Sequence, residues 1–119
     1  MQKLFPIAAA LFCGPALALA ADPVRGQQVF RACVACHNDK PDDLGPSLIG
    51  VVGRKAGSLE DYRFSGPMVR AGFVWDEDSL KAFLKDPQGA VKGTRMPFDG
   101  LAENDDIDDV VAYLASRKR

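Results

Sequence analysis

The chain is poor in the residues that build most catalytic and metal sites: 119 residues hold one histidine, one tryptophan, two tyrosines and three cysteines. No charge of one sign dominates. Fifteen basic residues stand against sixteen acidic ones, a formal net charge of −1 that becomes −2 without Lys3. A nucleic-acid partner, which needs a basic face, gains no support from that balance. The glycines of Gly50–Gly57 (GVVGRKAG) resemble a phosphate loop only superficially, because no strand pattern leads into them and no helix signal follows; they read as turn residues. No catalytic triad or paired-carboxylate site is present, so an ordinary enzyme is not expected. Internal repeats are absent, and after Ala21 no apolar run is long enough to cross a bilayer.

What is present starts with an address. MQKLFPIAAALFCGPALALA has one early lysine, an uncharged apolar run from Leu4, and Ala18-Leu19-Ala20 before Ala21 and Asp22. This is the pattern of a secretory signal peptide, residues 1–20, cleaved after Ala20 and delivering residues 21–119 to the periplasm. The run is also close to the shortest membrane anchor, about 17 apolar residues, but Pro6, Pro15 and the small-residue exit favour cleavage. Cys13 would be discarded with it. About 99 residues remain, enough for one domain and near the lower size at which a single apolar core sustains a fold.

Within that domain Asp22-Pro23 reads as a helix start, with Gly26, Val29, Phe30 and Cys33 recurring on one face, so an amphipathic helix is expected to run into the cysteines. Asn38 to Ser65 shows no sustained period and reads as a long irregular loop. Ser65 caps a short helix over Pro67 to Ala71, and Asp76 caps another carrying Leu80, Phe83 and Leu84 that stops at Asp86-Pro87. Gln88 to Gly100 reads as a second irregular stretch. In the last helix Ile107, Val110, Val111 and Leu114 share a face, with acids at its start and Arg117-Lys118-Arg119 at its end. Two long loops in so small a domain ask for a ligand to wrap.

Cys33-Val34-Ala35-Cys36-His37 supplies the chemistry. Two thiols one turn apart with an imidazole beside the second is the spacing that attaches a c-type haem, the thiols forming thioethers and a neutral imidazole nitrogen binding the iron. A thiol-disulfide enzyme would need a βαβ setting, and a structural zinc site usually needs four ligands where Cys33, Cys36 and His37 are the only cysteines and histidine after residue 20. With one histidine, bis-histidine ligation within one chain is impossible. The sixth ligand is then methionine, another weak donor, water or nothing, and the methionines after residue 20 are Met68 and Met96. Met96 lies in an irregular stretch that can present its thioether, whereas Met68, beside Pro67 in a short helix, reads as core filler.

GQQVFRACVACH, GPSLIGVVGRKAG, RAGFVWDEDSLKAFLKDP, GTRMPFDGL and DDVVAYLASRK, in that order, resemble the class I c-type cytochromes, near mitochondrial cytochrome c and its bacterial periplasmic relatives. The resemblance spans residues 22–119. It implies an all-α cytochrome c fold in which the first and last helices cross, Gly26 and Phe30 against Val110 and Tyr113, and the intervening helices and loops enclose one haem c bound through Cys33 and Cys36. It makes His37 and Met96 the axial pair. Pro46 would fix the His37 ring through its carbonyl, Arg54 and Trp75 would hold a haem propionate, and Thr94 and Phe98 would flank Met96. Phe64 and Phe83 stand where the mitochondrial proteins have tyrosines that donate to a haem propionate and toward the methionine sulfur, and Tyr62 is close enough to replace the first at the propionate. Met68 takes the place of a buried asparagine and Lys92 that of a proline. The family's lysine ring is thin, with Ala32, Gln88 and Gly89 at lysine positions and Lys81, Lys85, Lys92 and Arg95 left to form a weaker basic patch. Asp105, Asp106, Asp108 and Asp109 read as helix N-terminal charges rather than a cation site.

The function so implied is a soluble, monomeric periplasmic carrier of single electrons. Its expected partners are transient: a cytochrome reductase, an oxidase, a photosynthetic reaction centre or a periplasmic dehydrogenase. The alternatives are a haem sensor or peroxidase-like protein with an open sixth iron position, and a redox subunit dedicated to one dehydrogenase.

Overall fold

A computed structural model of the chain describes residues 20–40 and 42–118. The expected signal peptide therefore lies, apart from Ala20, outside the described residues. Among the described residues five helices follow in order: α1 (Pro23–Phe30), α2 (Gly66–Val69), α3 (Glu77–Lys85), α4 (Pro87–Ala90) and α5 (Asn104–Ser116). No strand occurs among the described residues, only an isolated antiparallel bridge between Lys55 and Val74. The fold is all-α.

The helix ends follow from the sequence. Asp22 caps α1, its carboxylate accepting from the amides of Val24 and Arg25, with Pro23 as the first helical residue. Asp76 and Ser79 form a reciprocal capping box on α3. Ser65 caps α2 through the amide of Met68. The structure departs from expectation in four places. α2 spans Gly66–Val69, one residue earlier at its start and two at its end than expected. α1 stops at Phe30, before the cysteines, because the amides of Arg31, Ala32 and Cys33 bond three residues back rather than four, which tightens the chain into turns. A short helix, α4, interrupts the stretch expected to be irregular from Gln88. Asp86-Pro87 ends α3 and also starts α4, since Asp86 accepts from the Gly89 amide at 3.1 Å and proline suits a first helical position. Finally, the Arg117 side chain turns away from a role at the end of α5: it pairs with Asp39 at 2.8 Å and lies over the rings of Phe30 and Tyr113.

α1 crosses α5 at a point where only glycine fits. A Cβ on Gly26 would stand 1.9 Å from the carbonyl oxygen of Asp109 and 2.9 Å from the Cβ of Tyr113. Phe30 fills the next turn, its ring 5.3 Å from that of Tyr113. Ile107, Val110, Val111 and Leu114 of α5 form one buried cluster with Phe30 of α1 and with Leu80, Phe83 and Leu84 of α3. The crossing is tied at its rim, where Asp109 accepts from the Asp22 amide and the Arg25 guanidinium, both at 2.8 Å, and Arg25 also bonds Asp106. The acids at the start of α5 thus include a buried anchor for α1 as well as helix-end charges.

Candidate haem-attachment site

The turns after α1 place the attachment motif. Cys33 accepts the amides of both Cys36 and His37, so the two thiols and the imidazole ride on a single helical turn. Both cysteines are partly exposed and unpaired. Burial pushes the Cys33 thiol up, with Cys36 adding to the effect, so in the absence of haem it is a protonated thiol and not a reactive thiolate.

His37 is buried, 8% exposed. Its Nδ1 lies 2.7 Å from the carbonyl oxygen of Pro46. A carbonyl only accepts, so Nδ1 carries the proton and Nε2 keeps its lone pair for a metal. A residue that the sequence left as part of a loop makes this contact possible. Gly45 donates its amide to the Cys36 carbonyl at 2.7 Å, and a Cβ on it would stand 2.6 Å from His37 Cε1 and 2.8 Å from Nδ1. Only a missing side chain lets Pro46 approach the ring; the clue in the sequence was the Gly-Pro pair eight and nine residues beyond the histidine.

The Lys55–Val74 bridge brings two more expected residues together. Trp75 donates its amide to the Arg54 carbonyl at 2.8 Å, and Gly53 donates to the Trp75 carbonyl. Arg54 directs its guanidinium at the carbonyls of Ser47 and Ile49. Trp75 is buried edge-on between Phe73 and Phe83, with ring centroids 4.8 and 5.1 Å away. Tyr62, in contrast, donates its hydroxyl to the carbonyl of Leu44 at 2.9 Å, so its one proton closes the 44–62 loop.

Met96 is half-buried against the core, in the loop after α4. Phe98 donates its amide to the Met96 carbonyl at 2.9 Å, a three-residue turn about Pro97, whose ring fixes the backbone there. Thr94, buried, donates its amide to Val91, and Arg95 reaches the carbonyl of Arg63 across the molecule. Met68 lies in the core, 8% exposed, in α2. The basic patch is partly engaged: Lys81 pairs with Asp108 at 3.5 Å and Lys85 bonds the Ala102 carbonyl.

These residues fit a haem c. Two thiols share one turn, a buried imidazole offers one lone pair, and a thioether stands on a braced loop; fold and site together define a mono-haem electron-transfer protein of the c type. Comparison with known proteins agrees. The family model described as Cytochrome c matches residues 23–118, and the chain belongs to the cytochrome c family. It is 40% identical to the cytochrome c2 of Rhodomicrobium vannielii over 97% of this chain and 94% of that one. With the cytochrome c2 of Rhodoblastus acidophilus the identity is 43%, over 83% and 95%. Among solved structures, cytochrome cH from Methylobacterium extorquens superposes with a TM-score of 0.77 at 41% identity, covering 81% of this chain and 99% of that one. The cofactor is haem c, attached through Cys33 and Cys36.

Proposed function

We propose that the protein is a diffusible one-electron carrier whose haem iron is held by His37 Nε2 and Met96 Sδ. The observation that carries this reading is the Nδ1–Pro46 hydrogen bond, which fixes the tautomer and orientation of the only histidine in the chain. Haem c supplies a reversible change of iron oxidation state. The chain supplies a rigid imidazole, made a better electron donor by the Pro46 carbonyl, and a soft sulfur that favours the ferrous form. Because the same ligands serve both states, little rearrangement accompanies electron transfer. Of the two methionines, Met96 stands on a loop and Met68 fills the core. In this reading Arg54 and Trp75, joined by the Trp75 amide to Arg54 carbonyl bond, would hold a propionate, while Tyr62 braces the neighbouring loop and Thr94 and Phe98 flank the sulfur ligand.

Residues 1–20 direct the chain to the periplasm, with cleavage after Ala20, and residues 21–119 act there as a monomer. No helix among the described residues is long and apolar enough to cross a membrane. Larger redox complexes, a reductase, an oxidase, a reaction centre or a dehydrogenase, exchange electrons with it in brief encounters.

Visible and near-infrared spectra of the exported holoprotein test the ligation. The ferric form is expected to show the weak near-infrared band of iron-bound methionine sulfur, and the ferrous form to ignore carbon monoxide. Met96→Ala should lose the band and Met68→Leu should keep it. High-spin iron that binds carbon monoxide in the unaltered protein would refute the assignment and favour a sensor or peroxidase-like role.

A further inference from the structure

The backbone leading to Met96 is held at Gly93 and Thr94 by the side chain of Gln88, the second residue of α4. Its Nε2 donates to the Thr94 carbonyl at 2.8 Å and its Oε1 accepts from the Gly93 amide at 3.1 Å. A primary amide carries a donor and an acceptor side by side, so it pairs with a peptide segment as a neighbouring strand would. α4 is itself capped by Asp86, which fixes the base from which Gln88 reaches. At the other end Gly93 has φ +91°, and a Cβ there would stand 2.9 Å from Cγ of Pro67. Glycine is the residue with most conformational freedom to lose, so this hinge gains most from a partner that holds its amide. Thr94 then hands the position on, its Oγ1 lying 3.5 Å from the Met96 amide.

We propose that Gln88 is a positioning residue for the sulfur ligand, clamping Gly93 and Thr94 so that the Met96 loop stays closed on the iron. The proposal rests on Met96 being that ligand. An iron–thioether bond is weak, so the fraction of molecules with the sulfur detached depends on how far the loop is free to open. An exogenous ligand binds only that fraction, and its apparent affinity reports the opening directly.

The test titrates imidazole into ferric holoprotein while following the methionine–iron band. Gln88→Ala removes both hydrogen bonds and is expected to tighten imidazole binding about tenfold, as the loss of one to two net hydrogen bonds would. Gln88→Glu retains an acceptor for Gly93 but sets a carboxylate oxygen against the Thr94 carbonyl, and should tighten it at least as much. Asp76→Ala serves as the comparison: it removes the cap of α3, where Asp76 accepts from the Ser79 amide at 2.7 Å, and leaves the loop alone. Its imidazole affinity should match that of the unaltered protein. An unchanged affinity in Gln88→Ala overturns the proposal, as does an equal rise in Gln88→Ala and Asp76→Ala, because general destabilisation then accounts for the effect. If the unaltered protein lacks the sulfur band and binds imidazole as readily as Met96→Ala, the ligand assignment fails and the clamp with it. The two failures are told apart by the band, present in the first case and missing in the second.

Discussion

Gly26 and Asp109 touch backbone to backbone: the space a Cβ on Gly26 would take is 1.9 Å from the Asp109 carbonyl oxygen. That atom belongs to α5 and has no rotamer with which to yield. Gly26→Ala must therefore push α1 off α5, opening the contacts of Phe30 with Tyr113 and of Asp22 with Asp109 together. A loss of about 3 kcal/mol or more is expected, the upper range for overpacking, seen as a lower urea midpoint of the holoprotein. A midpoint within the usual scatter of surface mutations would contradict the close crossing.

Asp109 adds a pH dependence to the same crossing. The Asp22 amide first, and the Arg25 guanidinium second, hold its carboxyl below the usual range, while its partial burial works the other way. A carboxyl whose folded value is depressed contributes stability that is fully present above its unfolded value, 3.8, and is lost as pH falls through the folded value. Asp109→Asn should lower stability at neutral pH, and its urea midpoint should fall less steeply than that of the unaltered protein on acidification below about pH 4. Asp39 titrates in the same direction: burial raises its carboxyl, but Arg117 and Ser47 outweigh this and leave it lowered.

Gly45 is expected to tune the iron without touching it. A methyl group there collides with His37 Cε1 at 2.6 Å, so in Gly45→Ala the ring or the Pro46 carbonyl must withdraw. A longer Nδ1–Pro46 bond makes the imidazole a poorer electron donor, which favours the ferrous state. The reduction potential of Gly45→Ala should rise, and stability should fall by about 1–3 kcal/mol. A potential that stays level or drops would contradict this role for the Pro46 carbonyl.

Tyr62 gives the opposite pattern. Its hydroxyl proton goes to the Leu44 carbonyl, at 2.9 Å, near the surface. Tyr62→Phe should cost about 0.5–1.5 kcal/mol of stability and leave the reduction potential where it was. A clear shift in potential would instead assign the hydroxyl to the haem, the role that its place near Phe64 in the sequence implied.

Much of the molecule was legible because its signals are local. Asp22-Pro23, Ser65 and Asp76 start helices wherever they occur in such settings, since a side-chain oxygen within three residues satisfies amides that the helix leaves open. The spacing of Cys33, Cys36 and His37 is likewise a short-range geometric fact, and it is enough to specify thioether attachment with an imidazole beside it. Asp86-Pro87 shows where local reading stops, since the same pair ends one helix and begins the next. The periodicity of α1 gave its apolar face but not its end, because tightening to three-residue hydrogen bonds leaves almost the same residues on that face.

The helix starts, the attachment motif and the single imidazole beside it can be read from the sequence alone. Tertiary structure alone decided which groups meet: Asp109 with Asp22 and Arg25, Asp39 with Arg117, Gly45 beneath the His37 ring, and Gln88 across the loop before Met96. Caps and motifs act within one turn of chain, where covalent geometry fixes the distances. The long-range ties depend on where the crossing of α1 and α5, and the loops packed around it, bring backbone atoms that the sequence separates by up to 87 positions.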